Sequence, residues 1–143
     1  MQNNIIRIET AEQIERCFEA FKTLRVHVEK SSFVKQVIRQ QEQGYRIVAI
    51  DSNGIIPSAA GYRFAEFLAW GKVLYIDDLT TLPDHRCNGY AGQLMDFLIA
   101  EARERDCDQL HLDTGYVRHD AHKLLLKKRL KFVSHHASLI LEK

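Results

Sequence analysis

The chain has 143 residues, 45% of them hydrophobic, and its 20 Lys+Arg nearly cancel its 19 Asp+Glu, for a formal net charge of +1. That length predicts one globular domain, residues 1–143, with a sizeable core. The balanced charge gives no footprint for nucleic acid or an acidic membrane surface, so any anion site has to be local. The three cysteines, Cys17, Cys87 and Cys107, form no CxxC pair and no Cys/His cluster, which points to free thiols in a reducing compartment rather than disulfides or structural zinc. The N-terminus lacks a leader pattern and no apolar run approaches a membrane span, so the expected location is the cytoplasm.

Residues 4–9, NIIRIE, read as a first strand. A helix is predicted over 10–25, with Thr10 and Gln13 spaced as a capping box and Ile14, Cys17, Phe18, Phe21 and Leu24 at helical spacing. A second helix is predicted over 31–44, capped by Ser31 or Ser32 and stopped by Gly44. Strands follow at 45–51 and 55–64, separated by the turn signal SNG. Pro57 marks an edge or a break, because it cannot donate to a ladder. Residues 72–82, KVLYIDDLTTL, are the strongest strand candidate.

A helix over 89–105 carries the apolar stripe Ala91, Leu94, Met95, Leu98 and Ala102. A strand at 109–115, a basic helix at 119–130 and a final strand at 132–143 complete the chain. Three successive strands imply an antiparallel meander, and the later β-α-β unit implies a parallel pair with a right-handed crossover. The expected fold class is α/β (α+β), a mixed, mostly antiparallel sheet flanked by helices.

The segment LPDHRCNGYAGQLMDFL, residues 82–98, joins the strongest strand to that helix. The first N–H groups of a helix lack internal partners and lie at the positive end of its dipole. Gly89, Ala91 and Gly92 keep side chains out of the way, and Arg86 adds a charge. From spacing alone, the junction is either a phosphate cradle or a tight strand-to-helix turn. Neither a Walker loop nor GxGxxG is present.

The run Arg86-Cys87-Asn88-Gly89-Tyr90-Ala91, preceded by Leu79-Thr80-Thr81-Leu82-Pro83, resembles the Arg/Gln-x-x-Gly-x-Gly/Ala signature of the GNAT superfamily of N-acetyltransferases. The order of elements matches along essentially the whole chain. The resemblance implies splayed parallel central strands with acetyl-CoA in the opening. The pantetheine arm would lie along Leu79, Thr80 and Thr81 beside a bulge. The pyrophosphate would sit on Arg86, Cys87, Asn88, Gly89, Tyr90, Ala91 and Gly92. In the family's later motif Ala121 and Leu124 fit, but Leu125 stands where the family often has a proton-donating Tyr. The resemblance leaves Tyr116 or water to reprotonate the thiolate. Arg118 replaces an Asn and is placed with the cofactor through its forked donors.

Acetyl transfer needs a neutral amine, and deprotonating an alkyl ammonium at neutral pH costs about 4–5 kcal/mol. Asp77 and Asp78 in YIDDL are the candidate bases or amine anchors, in the place of an acidic pair in diamine acetyltransferases of the superfamily. A strand N–H near Leu79 or Thr80 suits an oxyanion donor. His27, Tyr62 and Arg63 are the candidate acceptor-side residues. No metal is expected: His119 and His122 are spaced i, i+3 without a third ligand. The expected activity is direct acetyl transfer from acetyl-CoA to a primary amine of a small molecule, in a ternary complex. The alternatives are a non-catalytic CoA-binding or regulatory module, and a protein or peptide N-acetyltransferase. A homodimer is the expected assembly, if any.

Overall fold

The computed structural model describes residues 3–116 and 118–143. By contact it divides into two compact units, Met1–Leu112 and Asp113–Lys143. The first holds β1 (Asn3–Ile8), α1 (Ala11–Arg16), α2 (Phe18–Leu24), α3 (Lys30–Glu42), β2 (Arg46–Ser52), β3 (Ile55–Phe67), β4 (Gly71–Thr81), α4 (Tyr90–Glu104) and β5 (Gln109–Leu112). The second holds α5 (His119–Lys127).

The strands form one sheet in the order β1-β2-β3-β4-β5. The first three pairings are antiparallel, as the meander predicts, and β4–β5 is parallel. Alternating side chains give the sheet two apolar faces. Ile8, Ile47, Ala49, Ile56 and Ala59 join Ile14, Phe18, Phe21, Phe33 and Val37 of α1–α3 in one core cluster. The stripe of α4, with Leu94, Met95 and Leu98 fully buried, packs across β2–β5. Each such side chain stabilises the fold by roughly 1.5–3 kcal/mol.

The first predicted helix is two. The capping box forms: Gln13 N–H donates to Thr10 Oγ1 at 3.2 Å, and Gln13 Oε1 accepts from Thr10 N–H at 3.0 Å. The helix then breaks at Cys17, whose N–H bonds the carbonyl three residues back, Ile14, at 3.0 Å. That tighter turn bends the path and lets Ile14, Phe18 and Phe21 share one core. The cap of α3 is Glu29, without a side-chain bond, in place of the predicted serine.

Pro57 lies inside an interior strand rather than at an edge or break. The β2–β3 register slips by one residue there, with Ser52 opposite Ile55 but Ile50 opposite Ser58, so the missing N–H falls in a bulge.

The part of the chain after α4 departs furthest from expectation. β5 stops at Leu112 instead of 115. α5 stops at Lys127 instead of 130, because Arg129 turns to φ +69 and the Leu130 N–H reaches back to the Leu125 carbonyl at 2.9 Å. This is a Schellman ending made without glycine. The predicted strand 132–143 is absent: the segment has no ladder partner among the described residues, and alternation alone supplies none. Leu139, Ile140 and Leu141 are exposed. Side chains tie its start to the unit, through His135 Nδ1 with the Tyr116 hydroxyl at 2.8 Å and His136 Nδ1 with Asp113 at 3.2 Å.

Candidate functional site

Pairing between β4 and β5 runs only from Val73↔Gln109 to Ile76↔Leu112. β4 continues five residues further, 77–81, of which Asp78, Leu79, Thr80 and Thr81 stay paired with β3. Its other edge there has no strand partner among the described residues, over roughly 16 Å at ~3.3 Å per residue. The splay starts at a bulge. Gly61 pairs with Asp78 but Tyr62 with Ile76, so Asp77 is the extra residue and drops out of the β3 ladder.

Beyond β4, the chain makes a 3₁₀ turn at Pro83–His85 and then the loop to α4. The Asn88 side-chain amide donates to the His85 carbonyl at 3.1 Å. Cys87 and Gly89 take positive φ, +66° and +78°. Gly89 is the N-cap of α4 and provides no side-chain cap, and no acidic residue lies in the first turn. The first N–H groups of α4 therefore have no side-chain acceptor, and Arg86, Cys87, Asn88 and Gly89 are exposed beside them. A Cβ on Gly89 meets nothing within 4 Å; what selects glycine is φ, not space. The donor set is positive and made of backbone, and it fits a pyrophosphate.

Thr80 turns inward. Its hydroxyl donates to the Ala20 carbonyl of α2 at 2.7 Å, and its carbonyl accepts from Ser58 Oγ at 2.8 Å. Leu79 and Thr81 are half-buried on either side.

The two aspartates are both engaged. Arg63 grips Asp77 with Nε at 3.0 and 3.2 Å and Nη2 at 2.6 Å. Asp78 accepts from Arg25 Nε at 2.9 Å and from the Tyr45 hydroxyl at 2.6 Å. Burial, reinforced by the Asp78 carboxylate, pushes the Tyr45 phenol well above its ordinary pKa. The bidentate bond to Asp77 raises Arg63. Arg63 also lies over the Tyr45 ring, 5.5 Å from its centroid.

The structure thus gathers Asp77, Asp78 and Arg63. His27 sits exposed in the loop 25–29, which Arg25 ties to β4. Tyr62 is placed elsewhere: it is fully buried, and its hydroxyl donates to Glu101 of α4 at 2.8 Å and accepts from Arg7 at 3.1 Å. Burial and the Glu101 bond push this phenol up to about 12. Arg25 and Tyr45 were not singled out in the sequence. Tyr45 reads there only as the first residue of a strand, and no spacing rule links it to a residue 33 positions away.

In the second unit, Tyr116 is exposed with its hydroxyl on His135, and Arg118 is exposed at the start of α5. Leu125 is buried. Among the described residues no group of three or more His, Cys, Asp or Glu is arranged to hold a metal. No helix among them is long and apolar enough to cross a membrane.

No curated protein matches the chain by sequence. Solved structures share its fold. The aminoglycoside N-acetyltransferase AAC(6')-Iy, in complex with the bisubstrate analog CoA-S-monomethyl-acetylneamine, superposes with a TM-score of 0.81 at 14% identity, covering 100% of both chains. A ribosomal-protein-alanine N-acetyltransferase from Brucella melitensis biovar Abortus 2308 gives 0.77 at 17%, covering 99% of this chain and 100% of the other. A predicted acetyltransferase with acetyl-CoA from Clostridium acetobutylicum gives 0.73 at 17%, covering 97% and 96%. The model of the acetyltransferase (GNAT) family matches residues 9–132, which include the splayed strands, the bulge and the loop before α4. The chain belongs to the acetyltransferase (GNAT) family.

Proposed function

We propose that residues 1–143 act as one domain that transfers an acetyl group from acetyl-CoA to a primary amine of a small molecule, by direct attack in a ternary complex. The observation that carries this reading is the coincidence of the β4 bulge, the end of β5 pairing and the uncapped start of α4 on one path along the chain. The free edge of Leu79–Thr81 pairs with the pantetheine amides. The N–H groups of the loop 86–92, with Arg86, hold the pyrophosphate, and Arg118 adds a donor for a phosphate. A β4 amide beside Leu79 or Thr80 stabilises the developing oxyanion.

Asp77 receives the amine's proton. Oδ2 takes two bonds from Arg63 and Oδ1 takes one, which leaves Oδ1 a second lone pair for the amine or a bridging water. Tyr116 or water reprotonates the thiolate. The solved relatives by fold span a small-molecule and a protein acceptor.

A second reading rests on Leu125, which has no proton to give and is buried: a CoA-binding module without turnover. Calorimetry with CoA and a thiol-release assay with a panel of amines and peptides decide between them. Saturable CoA binding with amine-dependent thiol release is the expected result. Binding with no release from any acceptor selects the second reading, and no binding removes both. We propose that the chain forms a homodimer, which sedimentation velocity would detect as a species of twice the monomer mass.

A further inference from the structure

We infer that Arg25, Asp78, Tyr45 and Gly61 form a clamp that fixes the loop 25–29 over the β4 bulge, so that Arg25 and Tyr45 are positioning residues for the acceptor. The inference rests on the acetyltransferase reading only in taking the acceptor to enter beside β4.

The clamp begins with a need of the backbone. Asp77 is the extra residue of the bulge and leaves the β3 ladder. Arg25 Nη2 donates to the Asp77 carbonyl at 2.9 Å, while its Nε donates to the Asp78 carboxylate at 2.9 Å. One guanidinium thus reads two consecutive residues of the bulge, a task for its rigid fork that a single ammonium cannot repeat. Arg25 is also the C-cap of α2, so the same residue ends the helix and launches the loop.

The loop is held from its other side as well. Lys22 Nζ donates to the Val26 carbonyl and, at 2.9 Å, to that of Val28. The Val28 N–H bonds the Arg25 carbonyl at 3.0 Å. Backbone groups are used inward, and Val26 and His27 are left exposed. These are the side chains the loop offers to an acceptor.

Asp78 is held in turn by Tyr45, whose path requires a glycine. A Cβ on Gly61 would lie 1.7 Å from the Tyr45 hydroxyl oxygen, and Gly61 is the residue opposite Asp78 across the ladder. The absent side chain of β3 is therefore the slot through which the phenol reaches the carboxylate. With one oxygen facing Arg25 and the other Tyr45, Asp78 anchors the loop.

The test uses Arg25→Ala, Tyr45→Phe and Arg25→Lys in the full chain. Amide hydrogen exchange at residues 26–29 should accelerate at least ~10-fold in the first two variants, with core strands unaffected, as expected for losing a hydrogen bond to a charged group. In the thiol-release assay KM for the amine should rise ~10-fold while KM for acetyl-CoA stays within about twofold. Arg25→Lys should recover part of the protection, through one bond of the two. Unchanged exchange at 26–29 in both Arg25→Ala and Tyr45→Phe overturns the clamp. So does an equal rise in both KM values. If no acceptor is turned over by the unaltered protein, the proposed function loses its catalytic part, and the exchange measurement still decides the clamp.

Discussion

The two ends of the stretch of β4 that runs past β5 are built from different materials. The loop before α4 is made of backbone: positive φ at Cys87 and Gly89, an uncapped helix start and no buried charge. The bulge end is made of side chains, with Arg25, Tyr45, Arg63, Asp77 and Asp78 joined by hydrogen bonds of 2.6–3.2 Å. Backbone donors carry little that distinguishes one chain from another, and they suit a ligand part that never varies. Side-chain clusters can be exchanged residue by residue, and they suit the partner that does vary.

This contrast can be broken at either end. Gly89→Asp should have the largest effect. A carboxylate placed at the proposed phosphate site brings steric block and like charge, and CoA affinity in calorimetry should fall at least ~1,000-fold, about 4 kcal/mol. Unchanged affinity would remove the loop from the cofactor site.

Alkaline pH should loosen the buried tyrosine networks, at Tyr45 beside the bulge and at Tyr62 against α4. Tyr62 has a folded pKa of about 12 and Tyr45 lies well above its ordinary value, against ~10 in the unfolded chain. Both are held neutral, so their contribution is fully present below about pH 10 and is lost as pH rises through the folded values. For Tyr62 the loss amounts to roughly 3 kcal/mol. Urea midpoints measured from pH 8 to 11.5 should fall above pH 10, and Tyr62→Phe should flatten part of that fall.

Arg63→Ala frees Asp77 from its two-pronged partner. The amine KM should rise ~10-fold with CoA affinity unchanged, because the loop before α4 shares no atoms with this pair. A matching loss of CoA affinity would show that the two ends are one unit.

Gly89→Ala should have the smallest effect. The added methyl meets open space, so only the left-handed backbone is penalised, by about 1 kcal/mol of stability. CoA should still bind, within a few-fold.

The same contrast explains what could be read in advance. The turn into α4 was legible because Gly89 reports its backbone requirement, a positive φ, directly. The capping box at Thr10 and Gln13 and the stripe of α4 were legible for the same reason: their partners are near in sequence. The acceptor-side cluster was read only in part. Asp77, Asp78 and Arg63 stand in conspicuous positions, but Arg25 reaches Asp78 across 53 residues and Tyr45 across 33. Tyr62, predicted for the acceptor side, instead meets Glu101 across 39 residues.

The strand expected at 132–143 failed for a related reason. Alternation says that a segment is able to lie on a sheet. It does not supply the neighbouring strand whose N–H and C=O groups make it one.

By itself the sequence determined the meander, the crossover to a parallel strand and the glycine-rich entry to α4, because helix and strand periods and glycine's freedom at positive φ act over a few residues. Only the tertiary structure decided which residue of β4 bulges, which carboxylate faces which arginine, and that Gly61 leaves the gap for Tyr45. Those choices depend on side chains that meet only after the sheet has formed.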